Sequence, residues 1–250
     1  HKMLGIIGGS GFDSAGYAEN LRHLEMVTEY SDVVVPIELI ETDKPFAFLA
    51  RHGKDHHIPP HEINFRANID ALREAGVTEI VAINAVGGIA EGTGPGAIII
   101  PDQLIDYTWG RHSTFCGQNK RFVKHVDFSF PFDRVLSDRL ISAVNAINEQ
   151  STAARPVMTA GVYGVTQGPR LETAAEIQKM RRDGCDIVGM TAMPEAVLAR
   201  EAGINYGLIA LSVNWAAGIL PSEVTMEEIE AVLADGHQFL RGVLSIIIDD

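Results

Sequence analysis

Short apolar runs rich in β-branched residues recur along the chain, at 4–9, 31–40, 45–50, 79–88, 97–106, 160–168, 185–190 and 206–213. Amphipathic stretches at 59–76, 131–150, 172–184, 193–203 and 225–248 are set among them. Several of the runs are apolar at every position rather than at alternate ones, so neither face meets water, which suits a sheet covered on both sides. Strands alternating with helices, and no low-complexity linker between them, predict one α/β domain over residues 3–250. Three of the helical stretches stop at Gly76, Gly184 and Gly203, glycine being the usual residue just past a helix end. His1 and Lys2 precede a plausible start at Met3 and stay outside the fold argument.

A chain of 250 residues can bury roughly 70–75% of the surface its unfolded form exposes, so no disulfide or metal is needed to hold it together. With 33 Asp and Glu against 20 Lys and Arg, its summed field repels nucleic acid and anionic membranes, and neither is an expected partner. The N-terminal apolar stretch is short for a signal peptide, and no run approaches the ~20 apolar residues of a membrane span. Cys116 and Cys185 lie far apart without metal-type spacing, which fits a reducing cytoplasm.

Five stretches carry candidate chemistry. In "GIIGGSGF" (5–12) a strand runs into a glycine turn whose N–H groups, with the Ser10 hydroxyl, suit an anion. The turn lacks the spacing of a dinucleotide loop or a P-loop, and a purely structural glycine turn would look the same. "ARHGKDHHIPPHEINFRANI" (50–69) gathers Arg51, His52, Lys54, His56, His57 and His61 in an acidic protein. A phosphate site follows from the arginine fork and its neighbouring imidazoles; a solvated loop or a zinc site are the rival readings. "NAVGGI" (84–89) is a second glycine turn that could complete an anion cradle or simply pack tightly at a strand end. In "TQGPRLETAAEI" (166–177) and "VGMTAMPEAVLARE" (188–201), Glu172 either complements a helix dipole or aims into a pocket, and Thr191 either caps a helix or offers a ligand hydroxyl.

The late run "IALSVNWAAG" (209–218) poses a different question, because one amide, Asn214, interrupts a hydrophobic strand. A buried amide left unpaired costs on the order of 1–3 kcal/mol, so something should meet it.

Taken in order, these stretches, with "PDQLIDYT" (101–108), resemble the trimeric purine nucleoside phosphorylase and methylthioadenosine phosphorylase family, from Gly5 to about residue 240. The resemblance implies a single α/β domain around a large mixed β-sheet flanked by helices, a homotrimer, and reversible phosphorolysis of a purine–ribosyl bond. It implies no metal or organic cofactor, since inorganic phosphate is a co-substrate; the other partner is a small-molecule nucleoside. By the same resemblance Ser10, Arg51, His52, Asn84, Ala85 and Thr191 surround phosphate, His56 and Met190 lie nearer the ribose, and Gly189 is among the substrate-binding residues. Catalytic roles fall to Asn214, Glu172 and His56. His125, in "KHVDFSFPF", matches a residue lent across the subunit interface.

Members of the family differ in base and in 5′ group. An Asn can donate to O6 and accept from a protonated N7, while a carboxylate accepts from N1–H; Asn214, Ala216 and Glu172 thus match the 6-oxopurine pattern. Leu171 departs from it, an aromatic side chain being usual there. Met226 aligns with the position that meets the 5′ group, and a polarizable thioether suits a methylthio tail better than a hydroxyl. The combined expectation is a 5′-methylthioinosine substrate. The alternatives are methylthioadenosine, general 6-oxopurine nucleosides and, more remotely, purine binding without catalysis.

Overall fold

The structure, a computed structural model, describes residues 2–117, 123–223 and 225–250. In chain order the strands and helices are β1 (Leu4–Gly8), β2 (Leu21–Met26), β3 (Val35–Ile40), β4 (Phe46–Ala50), α1 (Phe65–Glu74), β5 (Glu79–Gly88), β6 (Ile98–Ile99) and β7 (Gln103–Asp106). There follow α2 (Arg134–Gln150), β8 (Val157–Met158), β9 (Val162–Val165), α3 (Ala174–Arg182), β10 (Ile187–Gly189), α4 (Ala192–Glu201), β11 (Asn205–Trp215) and α5 (Met226–Asp249). The strands form one mixed sheet in the order β2-β3-β4-β1-β5-β10-β9-β7, with β11 also paired to β5 and leading on to β6 and β8.

The sheet's central strands are the continuous apolar runs. β1 is buried throughout, as are nine of the ten positions of β5. Helices cover both faces: α1 and α4 pack on one apolar cluster, α2 and α5 on another. Glycines end α1, α3 and α4 at positive φ, +97° at Gly76, +98° at Gly184 and +74° at Gly203. Among the described residues, α5 alone is long and apolar enough to cross a bilayer, but Phe239, Leu240, Val243, Leu244 and Ile247 are buried in the core with α2.

Two strands escape the apolar-run reading. β2 carries Arg22, His23 and Glu25 and lies at the sheet's edge, where a polar strand is tolerated; β8 has only two residues. The run at 97–106 divides into β6 and β7 on either side of Pro101, which cannot donate to a ladder.

The register of β5 makes the site. β1 pairs with it only as far as Ala82, and β10 takes up that side, antiparallel, at Gly87 and Gly88. Among the described residues, β5 has no strand neighbour on that side between them, and the Gly8–Ser10 turn leaves the sheet there. The parallel strands β1 and β4 finish at this gap, beside β5 and β11 that run on past it, and the carboxyl ends of strands are where open α/β sheets bind ligands.

Candidate active site

The turn after β1 must run close to β5. A Cβ on Gly9 would lie 2.4 Å from the Ile83 carbonyl oxygen and 3.0 Å from Arg51 Nη1, so only glycine fits. Gly11, at φ +71°, carries the chain on. β4 delivers Arg51 and His52, β5 delivers Asn84 and Ala85, and the end of β10 delivers Gly189, Met190 and Thr191. Ser10, Arg51, His52, Ala85, Glu172, Gly189, Met190, Thr191 and Asn214 all line one cavity of about 200 Å³, together with Leu171 and Ile229.

Arg51 is held by protein on most of its donors. It is 1% exposed; its Nε and Nη2 each donate to the Glu195 carboxylate at 2.7 Å, Nη2 also donates to Asn84 Oδ1 at 3.1 Å, and Nη1 donates to the Ile83 carbonyl at 3.1 Å. Among the described residues, one N–H of Nη1 has no partner, on the side of Gly9. Burial opposes the charge on Arg51, but attraction and hydrogen bonding from Glu195 outweigh it and hold the pKa above the ordinary arginine value. Arg51 is therefore one half of a buried ion pair rather than a free cation waiting for an anion.

Behind the cavity wall the pair extends into a polar network. Glu195 also accepts from the Tyr206 hydroxyl at 2.7 Å. Asn84 Nδ2 donates to Tyr163 Oη at 3.1 Å and to Thr191 Oγ1 at 3.0 Å, which fixes the Thr191 hydroxyl from inside the core. Thr191 stands at the N-cap of α4 but makes no capping hydrogen bond, which removes the capping reading. Burial pushes the Tyr163 hydroxyl up to about 12 despite its bond from Asn84. A Cβ on Gly189 would come within 2.1 Å of that hydroxyl, so this lining position has no room for a side chain.

His52 Nδ1 lies 2.9 Å from the Ile58 carbonyl oxygen. A carbonyl can only accept, so Nδ1 carries the proton and Nε2 presents its lone pair. Burial, reinforced by the Arg51 charge, lowers the His52 pKa to about 4. His56 is outside this cavity. It takes the left-handed conformation at φ 52°, sets its ring 4.6 Å from that of His52 at a tilt of 48°, and lines an adjoining cavity of about 190 Å³ that shares Gly9 and His52. Among the described residues no group of three His, Cys, Asp or Glu side chains is placed to hold a metal ion.

At the other end the strand amide finds its explanation. β11 runs in register with β5 up to Ser212, then a bulge at Val213 shifts the pairing so that Asn214 faces Gly87. The Asn214 side chain lines the cavity and a second one of about 710 Å³ beyond it, and among the described residues no protein group is hydrogen-bonded to its amide. Glu172 lines the same two cavities. It is not the helix-dipole residue: Thr173 caps α3 and Glu176 closes the capping box, leaving Glu172 outside the helix with one carboxylate oxygen accepting from Thr166 Oγ1 at 2.7 Å.

Residues 3–249 match the family model of the phosphorylase superfamily. The chain belongs to that superfamily. A probable S-methyl-5′-thioinosine phosphorylase of Xylella fastidiosa is 46% identical over 244 residues, covering 97% of this chain and 96% of the relative. A 6-oxopurine nucleoside phosphorylase of Pyrococcus furiosus is 43% identical over 251 residues, 98% of this chain and 91% of the relative. Among solved structures, a methylthioadenosine phosphorylase from Schistosoma mansoni in complex with adenine superposes with a TM-score of 0.92 at 31% identity, covering 100% of this chain and 91% of that one.

The structure corrects the expectation for Met226. Met226, expected in the 5′ pocket, is the first residue of α5 after the Thr225 cap, 66% exposed and away from the cavity lining; Ile229, a turn further on along the same face, lines the cavity instead. His125 is exposed and lines neither cavity of its own chain. Leu171 lines the cavity while remaining 59% exposed. The sequence reading passed over Glu195, Tyr163, Tyr206 and Thr166. The signal for Glu195 was a single acid in the apolar "MTAMPEAVLA", since a carboxylate among core residues requires a buried partner.

Proposed function

We propose that the cavity binds phosphate at one end and a 6-oxopurine nucleoside at the other, and catalyses phosphorolysis of S-methyl-5′-thioinosine to hypoxanthine and 5-methylthioribose 1-phosphate. The observation that carries the base assignment is the pair formed by the Asn214 amide, free of protein partners among the described residues, and the Glu172 carboxylate, both facing one cavity. Phosphate sits at the Gly9–Ser10 turn and Thr191, taking N–H and O–H donors and the remaining Nη1 N–H of Arg51. Its oxygen attacks C1′ as the bond to N9 breaks, and the bond's electron pair leaves with the purine. The sugar becomes cation-like and the base anion-like, so donors aimed at the base stabilise the transition state more than the ground state. Asn214 donates to O6 and accepts from N7 once that nitrogen is protonated; Glu172 accepts from N1–H.

Support for the methylthio tail comes from the S-methyl-5′-thioinosine phosphorylase relative and from Ile229, an apolar side chain at the cavity wall. The protein acts in this reading as one phosphorylase domain and a homotrimer, with His125 reaching a neighbour's site, in the cytoplasm, without a cofactor. The test is phosphate-dependent release of free base from inosine, adenosine and their 5′-methylthio analogues, assayed side by side. Methylthioinosine is expected to be cleaved fastest. Faster cleavage of methylthioadenosine would replace the base assignment, and equal rates for inosine and methylthioinosine would replace the 5′ assignment.

A further inference from the structure

Between β7 and α2 the chain passes through a loop containing Arg111, a half-buried residue to which nothing above assigns a role. All five of its N–H groups have acceptors, and those acceptors lie on two separate segments. Nη1 donates to the carbonyls of Met190 and Met193, both at 2.7 Å. Nη2 donates to the carbonyls of Gln167, at 2.9 Å, and Thr166, at 3.5 Å, and Nε donates to Gln167 Oε1 at 3.2 Å. The Phe65 ring lies 5.5 Å from the guanidinium carbon and backs it with an apolar surface.

Both segments follow strand ends and are irregular. Thr166 and Gln167 come after β9, and Met193 departs from helical φ and ψ at the start of α4. One segment holds the Thr166 hydroxyl that orients Glu172; the other holds Thr191 between the two carbonyls that Arg111 grips. The guanidinium thus links the wall that would read the base to the wall that would hold phosphate, without lining the cavity itself.

We propose that Arg111 is a positioning residue, a planar clamp that sets the separation between the base-reading and phosphate-holding walls so that both substrates meet across C1′. The inference rests on the proposed phosphorolysis but not on which purine is preferred. Each wall keeps its own contacts without the clamp, so each substrate still binds. What is lost is their mutual alignment, and a displacement of about 1 Å at reacting atoms can cost on the order of 100-fold in rate.

The test compares Arg111→Ala and Arg111→Lys with the unsubstituted enzyme, using whichever nucleoside that enzyme cleaves fastest, so that an error in the base assignment leaves the test intact. For Arg111→Ala, kcat should fall about 100-fold while KM for phosphate and nucleoside change less than about threefold. Methylguanidine added to Arg111→Ala should restore kcat at least about tenfold. Arg111→Lys, a compact charge with no fork, should stay within about threefold of Arg111→Ala. Should Arg111→Ala fail to fold, the kcat and KM of Arg111→Lys carry the same comparison. A rise in either KM with kcat retained, full activity in Arg111→Lys, or a loss of rate equal to the unfolded fraction seen by circular dichroism would each overturn the proposal.

Discussion

Replacing Glu195 by Gln keeps the side chain's size and removes its charge, which isolates what the buried ion pair contributes. In the folded protein both partners are 1% exposed, and the carboxylate accepts two bonds from Arg51 and one from Tyr206, all at 2.7 Å. A glutamine offers one acceptor oxygen in place of two, and its NH₂ then confronts a guanidinium N–H or the Tyr206 hydroxyl proton. Breaking one side of a buried pair costs about 3–5 kcal/mol, because the surviving charge stays buried without compensation. At roughly 2–4 °C per kcal/mol for a chain of this size, the melting temperature should fall by about 10 °C. Phosphate should raise the melting temperature of the variant more than that of the unsubstituted protein, since an anion beside Gly9 partly replaces the lost carboxylate. Thermal unfolding followed by circular dichroism, with and without phosphate, measures both effects. A melting temperature within about 2 °C of the parent, and equal shifts with phosphate, would refute the view that Glu195 holds the Arg51 guanidinium in place.

Further outcomes follow from the same geometry. The His52 pKa, lowered by burial and by Arg51 to about 4 from an ordinary 6.5, means that the unfolded chain takes up a proton that the folded one refuses. Its contribution, at most about 3 kcal/mol, is complete above pH 6.5 and is lost as pH falls toward 4, so His52→Asn should show a smaller drop in melting temperature across that window. An equal drop in both proteins would contradict a neutral His52. Ile229→His should move preference from methylthioinosine toward inosine by offering a donor to the 5′-hydroxyl, whereas Met226→His, at an exposed position, should leave the ratio of kcat/KM for the two unchanged. The opposite pattern would return the 5′ pocket to Met226.

How far the sequence could be read depended on whether a signal was local. β1, β5 and β11 were legible because burial on both faces leaves an unbroken apolar run, and the three helix ends because a glycine at positive φ is a local requirement. Asn214 could be singled out because one amide at the end of such a run is conspicuous. Its orientation could not, since the bulge at Val213 exists only against the β5 register. The ion pair of Arg51 joins residues 144 apart in sequence, so Arg51 read alone resembles an anion receptor when most of its donors already serve Glu195, Asn84 and Ile83. Met226 failed for the reverse reason: an alignment fixes sequence position but not where a helix begins, and with Thr225 as the cap Met226 stands exposed in the first turn while Ile229, a turn further on, lines the cavity.

The central claim is that Asn214, with Glu172, selects the 6-oxopurine edge. In adenine the N6 amino group would face the Asn214 donor and the bare N1 would face the Glu172 carboxylate, and a site left with both contacts unpaired can discriminate by as much as ~10⁴-fold. The direct measurement is the ratio of kcat/KM for methylthioinosine over methylthioadenosine in the unsubstituted enzyme and in Asn214→Asp. The ratio should strongly favour methylthioinosine in the former and fall at least about tenfold in the latter, without full reversal because Glu172 still disfavours adenine. A ratio below one in the unsubstituted enzyme, or one that Asn214→Asp leaves unchanged, would contradict the claim.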